Sequence, residues 1–327
     1  MKQYYSLSKS ILNEIKRANT ILLNAHRNPD LDSIGASTVM MRVLKEMGKK
    51  VKIICPHKVS TDFFFLKGAS EIETVDFMNF KNFINFDLFI ILDSGSFDIV
   101  TGSKEVFLPK MPTVVIDHHR SNYFPDVKIK LFAEKASATS EIVYKLLSDW
   151  NVKIDKDMAT ALFSGIAGDT VFFRYTENTK QTYKIIGDLV RLGADKDLLV
   201  EKMFNNYRFA SVKLVGEFLK RMKMEKNFVW SAVDFIIFEK YGKPKGIREL
   251  TADLFFQSVK GTKFGLALLE EEKGQIYLSF RSTKDTDVSK IAKSLGGGGH
   301  KNAAGAKVSG DFEKTVGDIV DKVKTLT

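Results

Sequence analysis

The sequence predicts an α/β protein: an N-terminal, mostly parallel sheet flanked by helices, and a second, smaller α/β domain joined to it by a helical linker. Three observations carry this prediction. The apolar runs Ile21-Leu22-Leu23, Leu88-Phe89-Ile90-Ile91-Leu92 and Thr113-Val114-Val115-Ile116 are too short for buried helices and are bounded by turn residues, the pattern of strands covered on both faces. Stretches with helical spacing alternate with them. The length, 327 residues, exceeds what one hydrophobic core usually organises, so we expect domains at 1–188 and 210–327 with the linker at 189–209.

Residues 6–18 place Leu7, Ile11, Leu12 and Ile15 at helical spacing and lead into the first strand. That strand ends in His26-Arg27-Asn28-Pro29-Asp30-Leu31-Asp32, which sets one imidazole and two carboxylates within seven residues around the bend at Pro29. The heptapeptide reads equally as a metal site in outline or as a polar loop whose Asp30 and Asp32 cap a helix starting near Ser33. Gly35 and Ala36 in that helix's first turn would let the backbone sit close to whatever the carboxylates hold. The helix runs to Gly48, before a strand from Val51 to Cys55. The strand at Leu88–Leu92 ends in Asp93-Ser94-Gly95-Ser96, and the one at Thr113–Ile116 in Asp117-His118-His119-Arg120.

Ala138-Thr139-Ser140-Glu141 reads as a helix start. A small-residue helix from Ala159 to Ala167 closes in Gly168-Asp169-Thr170, where Asp169 is either a ligand or a cap for the next segment. The pair Phe172-Phe173 reads as core, with base stacking as the alternative. In open parallel sheets ligands gather at the C-terminal edge of the strands, so three strand ends would bring these acidic and imidazole groups to one rim. Strand order is not readable from sequence. Each ionised carboxylate there raises the cost of the next, and bound cations are the simplest resolution.

In the second domain a helix is expected around 210–223 and a strand over 228–238, in which Asp234 needs an edge or a partner. A half-exposed strand, Gln275–Phe280, leads to Arg281-Ser282. A helix over 287–295 is stopped by Gly296 to Gly299, followed by His300-Lys301-Asn302. A glycine run is either a flexible turn or a backbone free to wrap around an anion with its amides.

Composition sets limits. Apolar and charged fractions of 44% and 28% are those of a soluble globular chain, and no apolar run approaches the roughly 20 residues of a membrane span. The first ten residues lack a secretion signal, so a cytoplasmic protein without membrane partners is expected. Cys55, the single cysteine, excludes an internal disulfide and reads as a small buried hydrophobe. Of the net charge of +10, residues 201–327 hold 23 Lys and Arg against 16 Asp and Glu, leaving a surplus of three in the first 200. The basic C-terminal part either attracts an anion while the nearly neutral N-terminal part, with its clustered Asp, holds cations, or the surplus of +10 only keeps the chain soluble.

In that order, His26-x-Asn28-Pro29-Asp30-x-Asp32-x-x-Gly35, Asp93-Ser94, Asp117-His118-His119 and Gly168-Asp169-Thr170 resemble the four motifs of the DHH phosphoesterases. The stretch from Gly296 through His300 and Asn302 to Gly305 is similar to the signature of the DHH-associated second domain. The resemblance covers nearly the whole chain and is nearest to the nanoRNase and 3′-phosphoadenosine-5′-phosphate phosphatase group.

It implies two manganese ions, with magnesium as the alternative. His26, Asp30 and Asp93 would hold one, and Asp32, Asp93, His118 and Asp169 the other, with Asp93 bridging and water as the nucleophile. Asp117 would orient His118 or support the site, and His119 would contact the scissile phosphate or the leaving oxygen. Arg281, His300, Asn302 and the loop at Gly298 and Gly299 would bind the terminal phosphate or base.

The implied reaction is hydrolysis of linear dinucleotides such as pApA and very short RNA to mononucleotides, with cyclic di-AMP as a further substrate. The alternatives are a phosphatase for 3′-phosphoadenosine-5′-phosphate, or a non-catalytic nucleotide sensor; homodimerisation is left open. One departure matters: the arginine that often follows the second-motif aspartate is absent here, with Arg120 or Arg174 as replacements.

Overall fold

The computed structural model describes residues 4–104, 110–119, 123–173, 179–254, 256, 259–282, 286–299 and 301–327. It falls into two compact units, Met1–Asn205 and Asn206–Thr327. His300, Arg120 and Arg174 lie outside the described residues.

The first unit contains α1 (Ser8–Arg17), β1 (Thr20–Asn24), α2 (Leu31–Glu46), β2 (Lys50–Cys55), β3 (Glu73–Thr74), β4 (Leu88–Leu92), α3 (Phe97–Thr101), β5 (Thr113–Asp117) and β6 (Ile129–Phe132). These are followed by α4 (Thr139–Asp149), α5 (Lys156–Asp169), α6 (Lys180–Arg191) and α7 (Lys196–Phe204). Its sheet runs β3-β2-β1-β4-β5-β6, and every pairing is parallel. Because successive residues of a strand face opposite sides, Ile21 and Leu23 enter one core with α2, α4 and α5, while Leu22 enters another with Phe97 and Val100 of α3. That double burial explains why these strands read as unbroken apolar runs. Leu189 and Leu199, in the segment expected to link the domains, are buried in the first of these cores.

Helix α2 starts two residues earlier than Ser33, because Asp30 supplies the cap: its Oδ1 accepts the amides of Asp32 and Ser33, each at 3.0 Å. Gly35 therefore lies in the second turn and faces a helix rather than a ligand. A Cβ there would stand 2.5 Å from the carbonyl oxygen of Ala161 in α5. Gly165 of α5 is equally constrained, since a Cβ would come within 2.7 Å of Asp32 Oδ1 and collide with Ser140 Oγ.

The second unit contains α8 (Phe209–Lys220), β7 (Lys223–Met224), β8 (Phe228–Val233), α9 (Phe235–Lys240), α10 (Ile247–Leu254), β9 (Phe264–Glu272) and β10 (Gln275–Ser282). Then come α11 (Val288–Ser294), β11 (Gly298–Gly299), β12 (Ala303–Ser309) and α12 (Phe312–Leu326). Its sheet runs β11-β12-β10-β9-β8-β7, with β8 and β9 parallel and the other pairs antiparallel. The strand expected over 228–238 stops at Val233. Asp234 ends it by accepting the amide of Ile237 at 2.8 Å and so capping α9, which answers its need for a partner. Among the described residues no helix is long and apolar enough to cross a membrane.

The close approach at Gly35 predicts that Gly35→Ala costs about 1–3 kcal/mol by overpacking, read as a lower urea midpoint. Gly187→Ala, in α6 with nothing within 4 Å of the added methyl, should raise stability by roughly 0.5–1 kcal/mol. Equal effects at the two positions would refute the packing assignment.

Candidate metal centre

The strand order places β1 beside β4 and β4 beside β5, so the ends of all three adjoin. The chain turns from β1 outward to β2 and β3, then returns to the other side of β1 with β4. That reversal leaves a crevice between the β1 and β4 loops. His26, Asp30 and Asp32 follow β1, Asp93 follows β4, Asp117 closes β5 before His118 and His119, and Asp169 is the last residue of α5.

His26 is fixed at both ends of its residue. Its amide donates to Ser33 Oγ at 3.0 Å, and Nδ1 lies 2.8 Å from the carbonyl of Arg27. A carbonyl can only accept, so Nδ1 carries a proton and Nε2 points to the carboxylates, 3.3 Å from Asp93 Oδ2 and 3.6 Å from Asp30 Oδ2. Asp30 thus caps α2 with one oxygen and faces His26 with the other, which joins the two readings its sequence left open. Asp32 is wholly buried, its Oδ2 taking the amide of Thr139 at 2.6 Å and its Oδ1 the amide of Ser140 at 2.8 Å.

Asp93 is the hub. It is also buried, and it adopts a left-handed backbone (φ 53°), a conformation aspartate tolerates better than most residues. Its Oδ1 accepts the Thr139 hydroxyl at 3.1 Å and lies 3.6 Å from His118 Nε2 and 3.8 Å from His119 Nδ1. His118 Nε2 is 2.9 Å from Asp169 Oδ2, so Asp169 ends α5 at the site. Asp117 Oδ1 sits 2.7 Å from His119 Nδ1. Asp117 therefore orients His119 and not His118, because adjacent residues leaving a strand point to opposite sides and the partner two positions on returns to its own side.

The electrostatics follow from crowding. Burial opposes charge on His26 and His118, yet the carboxylates of Asp30 and Asp93 lift His26, and those of Asp169, Asp93 and Asp32 lift His118, well above the ordinary imidazole range. Burial, then the charges of Asp93 and Asp169, push Asp32 up. Asp93 resists its own burial and drops, because three imidazoles surround it. Among the described residues no lysine or arginine forms an ion pair with Asp30, Asp32, Asp93, Asp117 or Asp169.

Ligand atoms of three sets lie within 4.8 Å of one another: His26, Asp30 and Asp93; Asp32, Asp93, His118 and Asp169; and Asp93, His118 and His119. A donor set of carboxylate oxygens and imidazole nitrogens without sulfur suits a hard or borderline divalent cation. Cys55 stands aside, buried, its thiol 3.4 Å from the carbonyl of His26.

Several participants were not singled out from the sequence. Ser33, Thr139 and Ser140 sit at helix starts, and the amides that matter are invisible to a reading of side-chain types. His57, the histidine outside the motifs, places Nδ1 2.7 Å from Asn28 Oδ1 and 3.2 Å from the Asn28 amide, and Asn28 is left-handed (φ 51°). Phe172 and Phe173 pack on the first core, Phe172 edge-on to Phe204 with centroids 4.4 Å apart.

In the second unit the Arg281 guanidinium pairs with Asp253 through Nε and Nη2 and donates from Nη1 to the Phe280 carbonyl at 3.0 Å. Asn302 exchanges contacts with Ser282: the Ser282 amide donates to the Asn302 carbonyl at 3.0 Å, and Nδ2 donates back at 3.4 Å. Gly298 and Gly299 form β11 against Gly305 and Ala304 of β12. Gly298 and Gly299 thus pair as a short strand at close range; at Gly299 (φ 141°) a Cβ would lie 2.6 Å from the Ala303 carbonyl. Gly298 differs, with nothing within 4 Å of an added Cβ.

Comparisons with known proteins agree with this geometry. A family model described as the DHH family, N-terminal domain, matches residues 20–166, and the DHHA1 domain matches residues 231–327. The chain is 24% identical to the probable bifunctional oligoribonuclease and PAP phosphatase NrnA of Streptococcus mutans, over 97% of this chain and 98% of that protein. It is 26% identical to the cyclic-di-AMP phosphodiesterase GdpP of Bacillus subtilis, over 93% of this chain but 47% of the relative. The crystal structure of an exopolyphosphatase-related protein from Bacteroides fragilis matches with a TM-score of 0.89 at 27% identity, covering 97% of this chain and 95% of that one.

A divalent cation held by His26 and His118 would have to displace the protons that the nearby carboxylates favour on these imidazoles. Manganese titrated by calorimetry in two buffers of different ionisation enthalpy is expected to show proton release at pH 7 and an affinity that tightens as pH rises. Heats independent of buffer, with an affinity flat in pH, would contradict it.

Proposed function

Because this chain belongs to the DHH phosphoesterases and carries both the DHH and the DHHA1 domain, we propose that its Asp/His metal-binding site hydrolyses linear dinucleotides and very short oligoribonucleotides to mononucleotides. The supporting observation is Asp93, one buried carboxylate common to all three ligand sets. In this reading His26, Asp30 and Asp93 hold one manganese ion, and Asp32, Asp93, His118 and Asp169 the other. Bound cations supply positive charge that lowers the pKa of an attacking water and offsets charge on the phosphate.

The remaining work falls to side chains. Asp117 holds His119 by Nδ1, and this hydrogen bond with the nearby Asp93 charge raises the imidazole's pKa against the effect of burial. His119 would then keep a proton on Nε2 for the leaving oxygen. Residues 1–188 would form the catalytic domain, and 210–327 the substrate-binding one. Arg281, His300, Asn302, Gly298 and Gly299 would receive the terminal phosphate or base, and a phosphate reaching Arg281 would compete with Asp253 for the guanidinium. The near full-length similarity to NrnA supports the oligonucleotide substrate. That relative's second named activity makes PAP dephosphorylation the second reading.

Hydrolysis of linear dinucleotides, cyclic dinucleotides, longer RNA and 3′-phosphoadenosine-5′-phosphate, each with manganese or magnesium, tests the assignment. Linear dinucleotides should turn over fastest, and Asp93→Asn should abolish nearly all turnover of every substrate. A variant as fast as the parent would remove Asp93 from its bridging place. Arg281→Ala should raise KM for the dinucleotide about 10- to 100-fold, the worth of a charged hydrogen bond of about 1.5–3 kcal/mol, with a smaller change in kcat. An unchanged KM would free the second domain of that role.

A further inference from the structure

Helix α4 begins without a cap of its own. The residue before it, Ala138, is extended (φ −165°, ψ 156°) and has no side chain that could accept from the first amides. Those amides are satisfied from elsewhere in the fold, by the carboxylate of Asp32 on the first turn of α2. Thr139 goes further. Its amide holds Asp32 at 2.6 Å and its hydroxyl holds Asp93 at 3.1 Å, and all three residues are buried.

Asp32 lies beyond the end of β1 and Asp93 beyond the end of β4, so Thr139, on a third element, ties together two carboxylates that come from different strand ends. The start of α4 is itself anchored from behind. Glu141, fully buried, accepts the hydroxyls of Ser137 and Thr182, each at 2.8 Å, and pairs with Lys145.

We propose that Thr139 is a positioning residue of the metal centre, spanning Asp32 and Asp93 with its amide and hydroxyl so that the two carboxylates stand at ligand separation before any cation arrives. This rests on the ligand assignment proposed above. Side chains that hydrogen-bond to metal-bound carboxylates typically contribute 10- to 100-fold to metal affinity. Thr139→Val keeps the shape and the amide but removes the hydroxyl, and Thr139→Ser keeps the hydroxyl. Thr38→Val is the control, a buried helical threonine whose hydroxyl donates to its own helix at Ile34.

The test is manganese binding to the full chain, followed by the electron paramagnetic resonance signal of free Mn2+, with circular dichroism to confirm folding. Thr139→Val should weaken binding about 10- to 100-fold, while Thr139→Ser and Thr38→Val bind as the parent does. At saturating manganese the KM of Thr139→Val for a dinucleotide should equal the parental value. A parental affinity in Thr139→Val overturns the proposal, as does an equal loss in Thr139→Ser or Thr38→Val, which would assign the effect to packing. A parent that binds no manganese would instead bring down the ligand assignment, and the role of Thr139 with it.

Discussion

Everything near the C-terminal rim of the first sheet answers one constraint: several carboxylates are buried side by side, with no lysine or arginine among the described residues to neutralise them. Removing an ionised carboxylate from water costs several kcal/mol unless donors replace the lost solvent, and a like charge nearby adds to that cost. The fold meets the cost in three currencies of hydrogen bonding. Helix-start amides take both oxygens of Asp32, a threonine hydroxyl takes one of Asp93, and imidazoles face Asp30, Asp93, Asp117 and Asp169.

Architecture makes that compensation geometric. The reversal of strand order at β1, with β2 added on one side and β4 on the other, separates the loops that follow β1 and β4, and the polar groups fill the opening. Three helices then close in at spacings that only glycine permits: Gly35 of α2 against α5, and Gly165 of α5 against Ser140 and Asp32. Small residues at these points serve the metal centre indirectly. They bring the first turn of α4 near enough for its amides to reach Asp32.

In the second unit the same residue types do different physical work. Glycine at 299 allows the two-residue strand β11 to approach β12 closely, and Arg281 spends its planar fork on Asp253. Gly298 alone among the strand's glycines faces open space without a positive φ, a place where backbone is accessible to a ligand.

The sequence alone determined the α/β class, the central strands, the four clusters of ligand-type residues and the family. Unbroken apolar runs and the identities of His26, Asp30, Asp32, Asp93, His118 and Asp169 are local properties that survive without coordinates. Tertiary structure decided the rest. Strand order showed that the clusters adjoin, and the side of β5 on which each residue leaves assigned Asp117 to His119. Capping by Asp234 ended the expected strand at Val233 and began a helix in its place. Packing distances explained Gly35 by a neighbouring helix, and Thr139 and Ser140 entered the site through backbone amides that every residue type but proline possesses. A hydrogen bond from a backbone group carries no signature in side-chain chemistry, so only the position of the helix could show what it holds.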